Sequence, residues 1–138
     1  MNIGHIDQLK LGMSTKKKIT FDREKVSSFA NLVDDHAPIH QDEDFAKRQG
    51  FETTLVHGMF INSQFSGLLG QQLPGQKTVL NTINGKFHKP VHIGESVTFI
   101  VEVKQIVPAV KAVVLTLSAK TREGETVFSG SATCSFLK

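Results

Sequence analysis

Several residue types that often carry structure or chemistry are rare in this sequence. Tryptophan and tyrosine are absent, so all ten aromatic residues are phenylalanine, which suits a dry apolar interior. The single cysteine, Cys134, excludes an internal disulfide and any zinc site built from cysteines. A lone thiol is typical of a reducing compartment. We therefore expect a cytoplasmic protein.

Long apolar runs are also missing. No stretch approaches the roughly 20 apolar residues that span a bilayer, and the N-terminal segment lacks the basic region and apolar core of a signal peptide. We therefore expect no membrane partner. The 138 residues, 39% hydrophobic and 21% charged, are typical of one globular domain over 1–138.

A modest excess of positive charge raises the question of a nucleic-acid partner. The 16 basic side chains exceed the 13 acidic ones, which gives a net charge of +3. The only dense basic cluster in the sequence is Lys16–Lys18, and no RNA-binding sheet motif or zinc finger is present. We therefore expect no nucleic-acid partner, and a polyanionic small molecule suits the charge better.

Helical patterns dominate the first half of the chain. Asp22 is a plausible N-cap, and apolar residues recur at helical spacing over 23–33. A second short helix is predicted over 42–49, closed by Gly50. Because the residue before a proline disfavours the α region, the segment 34–40 around Pro38 is expected to be non-helical.

A third helix is predicted over 57–71, where charged residues are absent and apolar residues occupy several faces, as in a buried helix.

A short strand is predicted over 17–21, and four later segments alternate between apolar and polar residues. Their shared faces are Val79, Asn81, Ile83, Gly85 and Phe87; Val97, Phe99, Val101 and Val103; Val113, Leu115, Leu117 and Ala119; and Phe128, Gly130, Ala132, Cys134 and Phe136. The pattern indicates an α+β protein whose antiparallel sheet is covered by the apolar helix.

The segment 34–40 carries the most chemistry. Asp35 and His40 lie five positions apart in a loop stiffened by Pro38, and an acid and an imidazole can together hold and deprotonate a water. A polar surface loop is the alternative from spacing alone. A metal site is a weaker alternative, because Asp35, His36, His40 and Asp42 are ligand types but form no helical histidine pair.

The start of the apolar helix is a second candidate site. The first N–H groups of a helix lack intrahelical partners and carry partial positive charge, and Gly58 would let a carbonyl oxygen approach them. This is a plausible oxyanion hole for a thioester, although Gly58 also suits simple close packing. His57 is either a ligand-facing imidazole or a buried structural one. Ser66 is a pocket residue or a hydroxyl bonded back to its own helix.

The order of the motifs resembles the MaoC-like family of (R)-specific enoyl-CoA hydratases, in particular the short polyhydroxyalkanoate-type hydratases. The likeness covers the chain from about Phe21 to its end. The sequence departs from the family pattern at Asp34, where the family has glycine, and at Ala37, where it has asparagine. The matching positions are Phe29, Leu32, Asp35, Pro38, Ile39, His40 and Ala46, followed by Phe51-Glu52, Val56-His57-Gly58-Met59, Phe65 to Gly75 and Phe87 to Val97.

The resemblance implies a hot-dog fold, in which an antiparallel sheet wraps around a central apolar helix, and a homodimer. It implies reversible hydration of trans-2-enoyl-CoA to (R)-3-hydroxyacyl-CoA, with no metal or redox cofactor. Asp35 and His40 match the catalytic pair, without deciding which is the base, and Gly58 matches the glycine that binds the thioester carbonyl. The expected substrate pocket comprises Ser66, His57, Met59 and Pro38.

Three other functions remain open at this point. A 3-hydroxyacyl-[acyl-carrier-protein] dehydratase would run the same chemistry in reverse on a different carrier. A hot-dog thioesterase would hydrolyse saturated acyl-CoA. A non-catalytic acyl-CoA-binding module is favoured by the alanine at position 37. The substrate is accordingly an acyl-CoA or acyl-carrier-protein thioester, with the chain length undetermined.

Overall fold

The computed structural model describes residues 2–138. Four helices and five strands make up most of it, joined by 3-10 turns at Ile6–Gln8 and Pro108–Val110. The helices are α1 (Arg23–Val33), α2 (Pro38–Gln41), α3 (Glu43–Arg48) and α4 (Gly58–Gly67), and the strands are β1 (Ser14–Thr20), β2 (Thr78–Phe87), β3 (Ser96–Val107), β4 (Ala112–Thr121) and β5 (Thr126–Phe136).

All five strands form one antiparallel sheet in the order β1-β3-β4-β5-β2. The middle strands alternate strictly between buried and partly exposed residues along most of their length, so one face of the sheet lies against the core. α4 lies on that face, where the Phe65 ring packs 5.2 Å from Phe99 and 5.3 Å from Phe128. The segment that follows α4 contacts both edge strands, β1 and β2. The sheet therefore wraps around the helix.

The central helix departs from its predicted shape at its C-terminal end. Helical hydrogen bonding was expected over 57–71, whereas α4 ends at Gly67 and continues as one turn of π-helix over Leu68–Gln72. Leu68 and Leu69 in this turn are almost fully buried. Within residues 2–138, no helix is long and apolar enough to cross a membrane.

α1 confirms its predicted bounds, and the Asp22 carboxylate accepts a hydrogen bond from the Lys25 amide as the N-cap. The expectation of a non-helical 34–40 segment is wrong at its end, because Pro38 opens α2. Proline is favoured at the first helical position, where its missing N–H needs no partner. Residues 35–37 are non-helical as expected, and Ala37, directly before the proline, has φ −56° and ψ 137°, in line with the restriction that a proline imposes.

The predicted inward face of β2 is wrong at its start. A bulge between Leu80 and Thr82 shifts the register, so Val79 lies opposite Ser135 whereas Leu80 lies opposite the buried Cys134. Since directly opposed residues share a face of the sheet, Leu80 replaces Val79 on the inner face. The predicted alternation applies again from Ile83 onward, after the bulge has added one residue. The strand expected over 17–21 begins earlier, at Ser14.

Candidate active site

The loop after α1 positions the Asp35 carboxylate. α1 ends in a left-handed residue, Asp34, with φ 58° and ψ 42°, a conformation that glycine adopts freely and aspartate tolerates. The chain then reverses, and the Asp35 amide bonds back to the Ala30 carbonyl at 3.0 Å. One carboxylate oxygen of Asp35 accepts a hydrogen bond from the Ala37 amide at 3.2 Å. The carboxylate is thus held by its own turn.

His40 lies on α2 and its tautomer follows from its partner. Nδ1 is 2.8 Å from the Leu55 carbonyl oxygen, and a carbonyl only accepts hydrogen bonds. Nδ1 therefore carries the hydrogen, which leaves Nε2 with a free lone pair. A second hydrogen bond, from the Leu55 amide to the Ile39 carbonyl at 3.0 Å, holds the two segments together. His40 is therefore oriented by backbone 15 residues away.

His57 contacts both Asp35 and His40. Its side chain is almost completely buried, and Nε2–H donates to the Asp35 carbonyl oxygen at 3.1 Å. Its ring stacks on the His40 ring with centroids 3.8 Å apart and planes 23° apart. Burial is the largest cause that lowers the pKa of His57 below its ordinary 6.5, because a charged imidazole loses its hydration there. His57 is therefore neutral at neutral pH.

One ligand atom from each of Asp35, His40 and His57 lies within 4.8 Å of the others, which raises the possibility of a metal centre. The stacking of the two imidazoles does not suit one. A histidine nitrogen binds a metal along its lone pair, in the plane of the ring, and two rings stacked 3.8 Å apart and nearly parallel direct their lone pairs along separate planes. The arrangement fits proton transfer better than metal binding.

Gly58 begins α4, directly after His57. The His57 side chain makes no capping bond, so the first N–H groups of α4 remain available to a ligand. Gly58 and His40 line the same cavity of about 300 Å³. A side chain at Gly58 would project toward the Phe87 ring, 3.3 Å from its nearest carbon. The other residues that line the cavity are Leu55, Val56, Ile61, Phe87, His88, Lys89, Pro90 and Val91.

The remaining predicted pocket residues lie elsewhere in the described chain. Pro38 and Ser66 are exposed and Met59 is 66% exposed, and none of the three lines the cavity of His40 and Gly58. His57, predicted for the same pocket, instead contacts the Asp35 carbonyl and the His40 ring. The structure therefore brings Asp35, His40 and His57 together, with Gly58 directly after His57 and at the cavity that His40 lines. Asp35 itself is not among the residues that line that cavity.

Two other positions are clarified by the structure. His36 is exposed, with Nε2 3.6 Å from an Asp34 carboxylate oxygen and Nδ1 3.3 Å from the Gln41 side-chain amide. Burial raises the pKa of the Cys134 thiol to about 11, which leaves it protonated and unreactive.

Sequence reasoning missed the contacts that organise the site. The Leu55 carbonyl that fixes His40 is a backbone group, and no side-chain motif reveals it. His88 and Lys89, which line the cavity, have no motif of their own that predicts a place at the site. The stacking of His57 on His40 also had no sequence signal beyond the aromatic character of both rings.

Comparison with known proteins supports the likeness found in the sequence. The family model described as MaoC like domain matches residues 7–124. An (R)-specific enoyl-CoA hydratase of Aeromonas caviae is 37% identical over 90% of this chain and 92% of its own. A second (R)-specific enoyl-CoA hydratase, from Rhodospirillum rubrum, is 34% identical over 94% of this chain and 89% of its own.

Solved structures agree in fold. The (R)-hydratase from A. caviae involved in PHA biosynthesis superimposes with a TM-score of 0.90 at 36% identity, covering 94% of this chain and 98% of that one. The R-hydratase PhaJ1 of Pseudomonas aeruginosa has a TM-score of 0.91 over 97% of this chain and 86% of its own, although only 22% of residues are identical. With its sheet wrapped around α4, the chain has the hot-dog fold and belongs to the MaoC-like domain family.

Proposed function

We propose that this protein is an (R)-specific enoyl-CoA hydratase, which adds water reversibly to trans-2-enoyl-CoA to give (R)-3-hydroxyacyl-CoA. The carrying observation is that Asp35 and His40 each place a ligand atom within 4.8 Å of the other, while His40 lines the same cavity as Gly58 at the start of α4. Its relatives of 34–37% identity over most of their length bear the same name.

The Asp35–His40 pair supplies the proton chemistry. His40 presents a lone pair at Nε2 because Nδ1–H is bonded to Leu55, and Asp35 presents the carboxylate oxygen that Ala37 does not occupy. A water held between these two acceptors has one proton directed to each. As the water oxygen bonds to C3, the pair takes one proton and delivers a proton to C2. No step in this scheme needs a metal or a redox cofactor.

The start of α4 supplies the charge stabilisation. When oxygen adds to C3, the C2–C3 double bond electrons move toward the thioester carbonyl, which becomes an enolate oxygen. The Gly58 amide donates a hydrogen bond to that oxygen, and the positive end of the helix dipole adds to the effect. A donor of this type is worth about 2.7–4 kcal/mol in the transition state of other enzymes.

The proposed site also fits the substrate around the reacting atoms. The cavity walls beside His40 and Gly58 are mostly apolar, from Val56, Ile61 and Phe87, whereas Lys89 lies at the same cavity. An apolar wall suits the acyl and pantetheine carbons. The Lys89 ammonium is ion-paired with the Glu125 carboxylate, so it would have to leave that partner to reach the phosphates of coenzyme A.

We further propose that two copies pair through β2. This edge strand exposes Val79, Leu80 and Phe87 by 45–47%, and its ten residues carry a single charge at Lys86. The other edge, β1, carries three lysines, which are typical guards against edge pairing. An antiparallel β2–β2 pair between copies would close with two-fold symmetry and cover this edge.

The experiment for the activity is a hydration assay. The purified protein with crotonyl-CoA is expected to lose enoyl-thioester absorbance near neutral pH, and chiral analysis is expected to give the (R)-3-hydroxy product. An absence of turnover across short and medium enoyl-CoA chains, with folded protein, would contradict the proposal. Carrier-protein thioesters, and saturated acyl-CoA with a free-thiol readout, separate the dehydratase and thioesterase functions.

A further inference from the structure

His57 makes contacts that the hydration scheme does not use. Its side chain is 2% exposed, it precedes Gly58, and it touches both members of the Asp35–His40 pair. We infer that His57 is a positioning residue, which holds the Asp35 main chain and the His40 ring in the one arrangement that lets both reach the same water. The inference rests on the proposed function for what is being positioned.

The first contact fixes Asp35. The bond from Nε2–H of His57 to the Asp35 carbonyl joins residues 22 positions apart. The hydrogen bonds of the Asp35 amide and carboxylate, to Ala30 and Ala37, are local to the loop. The His57 bond therefore ties the Asp35 end of this loop to the residue before α4, beside the bonds of Ile39 and His40 to Leu55.

The second contact fixes the direction of His40. Its Nδ1–H is held by the Leu55 carbonyl, but one hydrogen bond still lets a ring tilt. The His57 ring lies against the face of His40 at 3.8 Å and removes that freedom. The Phe29 ring packs against the His57 ring, with the two centroids 5.1 Å apart. Together these contacts fix the direction in which Nε2 of His40 points.

A purely structural residue would not need to be histidine here. Because Nε2 carries the hydrogen, Nδ1 of His57 is a bare lone pair, and it is buried without a hydrogen-bond partner among residues 2–138. Burying an unpaired polar atom is unfavourable, and phenylalanine would fill the same space without that loss. What histidine adds is the donor to Asp35.

His57 must also stay neutral to act in this way. The titratable groups that face it are Asp35, His36 and His40. In a cycle where His40 is the member of the pair that takes the proton, a positive charge arises against the His57 ring, and a second charge there would oppose it. The buried neutral imidazole accepts that neighbour without repulsion.

Two variants of the full chain test the inference kinetically. His57→Phe keeps the stacked ring and loses the donor, whereas His57→Gln keeps an amide donor that can reach Asp35 and loses the ring. We expect His57→Phe to lower kcat by about 10- to 100-fold, the cost of a misplacement near 1 Å, with KM and the melting temperature nearly unchanged. His57→Gln is expected to recover part of kcat. Wild-type kcat in His57→Phe would overturn the inference, as would a loss that only follows the folded fraction.

A substrate-free measurement separates this inference from the proposed activity. Nitrogen-15 NMR of the imidazoles is expected to show hydrogen on Nε2 of His57 and on Nδ1 of His40. In His57→Phe, amide exchange at Asp35 and Ala37 is expected to become faster. If the wild type hydrates no enoyl-CoA but these results hold, the activity is wrong and the positioning role stands. Hydrogen on Nδ1 of His57, or unchanged amide exchange in His57→Phe, overturns the positioning role whatever the activity.

Discussion

Gly85 of β2 lies directly opposite Gly130 of β5, and the Phe128 ring occupies the space where a side chain at Gly85 would project. A Cβ at Gly130 would overlap the Asn84 carbonyl. Phe128 packs on Phe65 of α4, so this glycine pair lets the β2 edge close onto the ring that anchors the central helix.

Substitution of either glycine by alanine is expected to destabilise the protein. The added methyl must displace a buried ring or a strand carbonyl, and overpacking of this kind costs about 1–3 kcal/mol. Urea denaturation of Gly85→Ala and Gly130→Ala measures the loss. Gly70→Ala is the matched control, since nothing lies within 4 Å of its Cβ. Wild-type stability in both strand variants would contradict the packing described.

Asp34→Gly is expected to stabilise the fold. Asp34 adopts left-handed φ and ψ, which costs an L-residue roughly 1 kcal/mol that glycine does not pay. Asp34→Ala is expected to act in the opposite direction, because alanine is tolerated less well than aspartate in the left-handed region. Thermal melts of the two variants, compared with the wild type, test the sign. A lower melting temperature for Asp34→Gly would show that its side chain contributes more than its backbone strain.

Loss of either member of the Asp35–His40 pair is expected to lower kcat by about 10²- to 10⁴-fold, the usual contribution of a general acid or base. Asp35→Asn keeps the oxygen that accepts from Ala37, so its fold is expected to persist. His40→Ala is the second variant. His36→Ala, an exposed neighbour, is the control and is expected to keep its rate. Undiminished rates in both test variants would refute these roles.

His57 is expected to make stability depend on pH. Burial lowers the pKa of the folded group below its ordinary 6.5, so in mildly acidic solution the unfolded chain binds a proton here that the folded chain does not. Stability from this group is therefore present above pH 6.5 and decreases as pH falls below it. Melting temperatures from pH 8 to pH 5 are expected to fall more steeply for the wild type than for His57→Phe. Parallel curves would be inconsistent with a buried neutral imidazole.

Pairing through β2 is expected to depend on the apolar character of that edge. Val79→Lys places a charge on the proposed interface, and we expect it to shift the protein from dimer toward monomer. Ser14→Lys adds the same charge at the β1 edge and is expected to leave the dimer intact. Sedimentation equilibrium over a range of concentrations measures both. A wild-type monomer would contradict the proposed pairing, and equal effects of the two lysines would place the interface elsewhere.

The sequence predicts those parts of the fold that depend on local signals. α1 begins after Asp22 and ends at Val33 as expected, because the N-cap and the apolar spacing lie within the helix itself. The alternation in β3, β4 and β5 identifies their buried faces for the same reason. Asp35, His40 and Gly58 were identifiable as candidates because their residue types and motif positions carry the resemblance to the MaoC-like family.

The rest depends on contacts between distant segments. Pro38 looked like a helix breaker, and only the placement of α2 against Leu55 shows that it begins a helix. The bulge at Leu80 is set by pairing with β5. The alternation of apolar and polar residues in the sequence gives no sign of it. The role of His57 depends on a carbonyl that any residue at position 35 would offer.

Three hydrogen bonds join residues 35–40 to residues 55–57, and we call this connection the clasp. They link the Ile39 carbonyl with the Leu55 amide, the His40 ring with the Leu55 carbonyl, and the His57 ring with the Asp35 carbonyl. The clasp has a consequence for how freely the sequence between its two segments can vary. The intervening stretch that contains α3 leaves the clasp and returns to it, so its length does not set the site geometry. Ala46 and Thr54 of that stretch are fully buried, whereas its turn at Gln49 and Gly50 is exposed. This turn is therefore the natural place to lengthen the chain or insert a reporter without disturbing the chemistry.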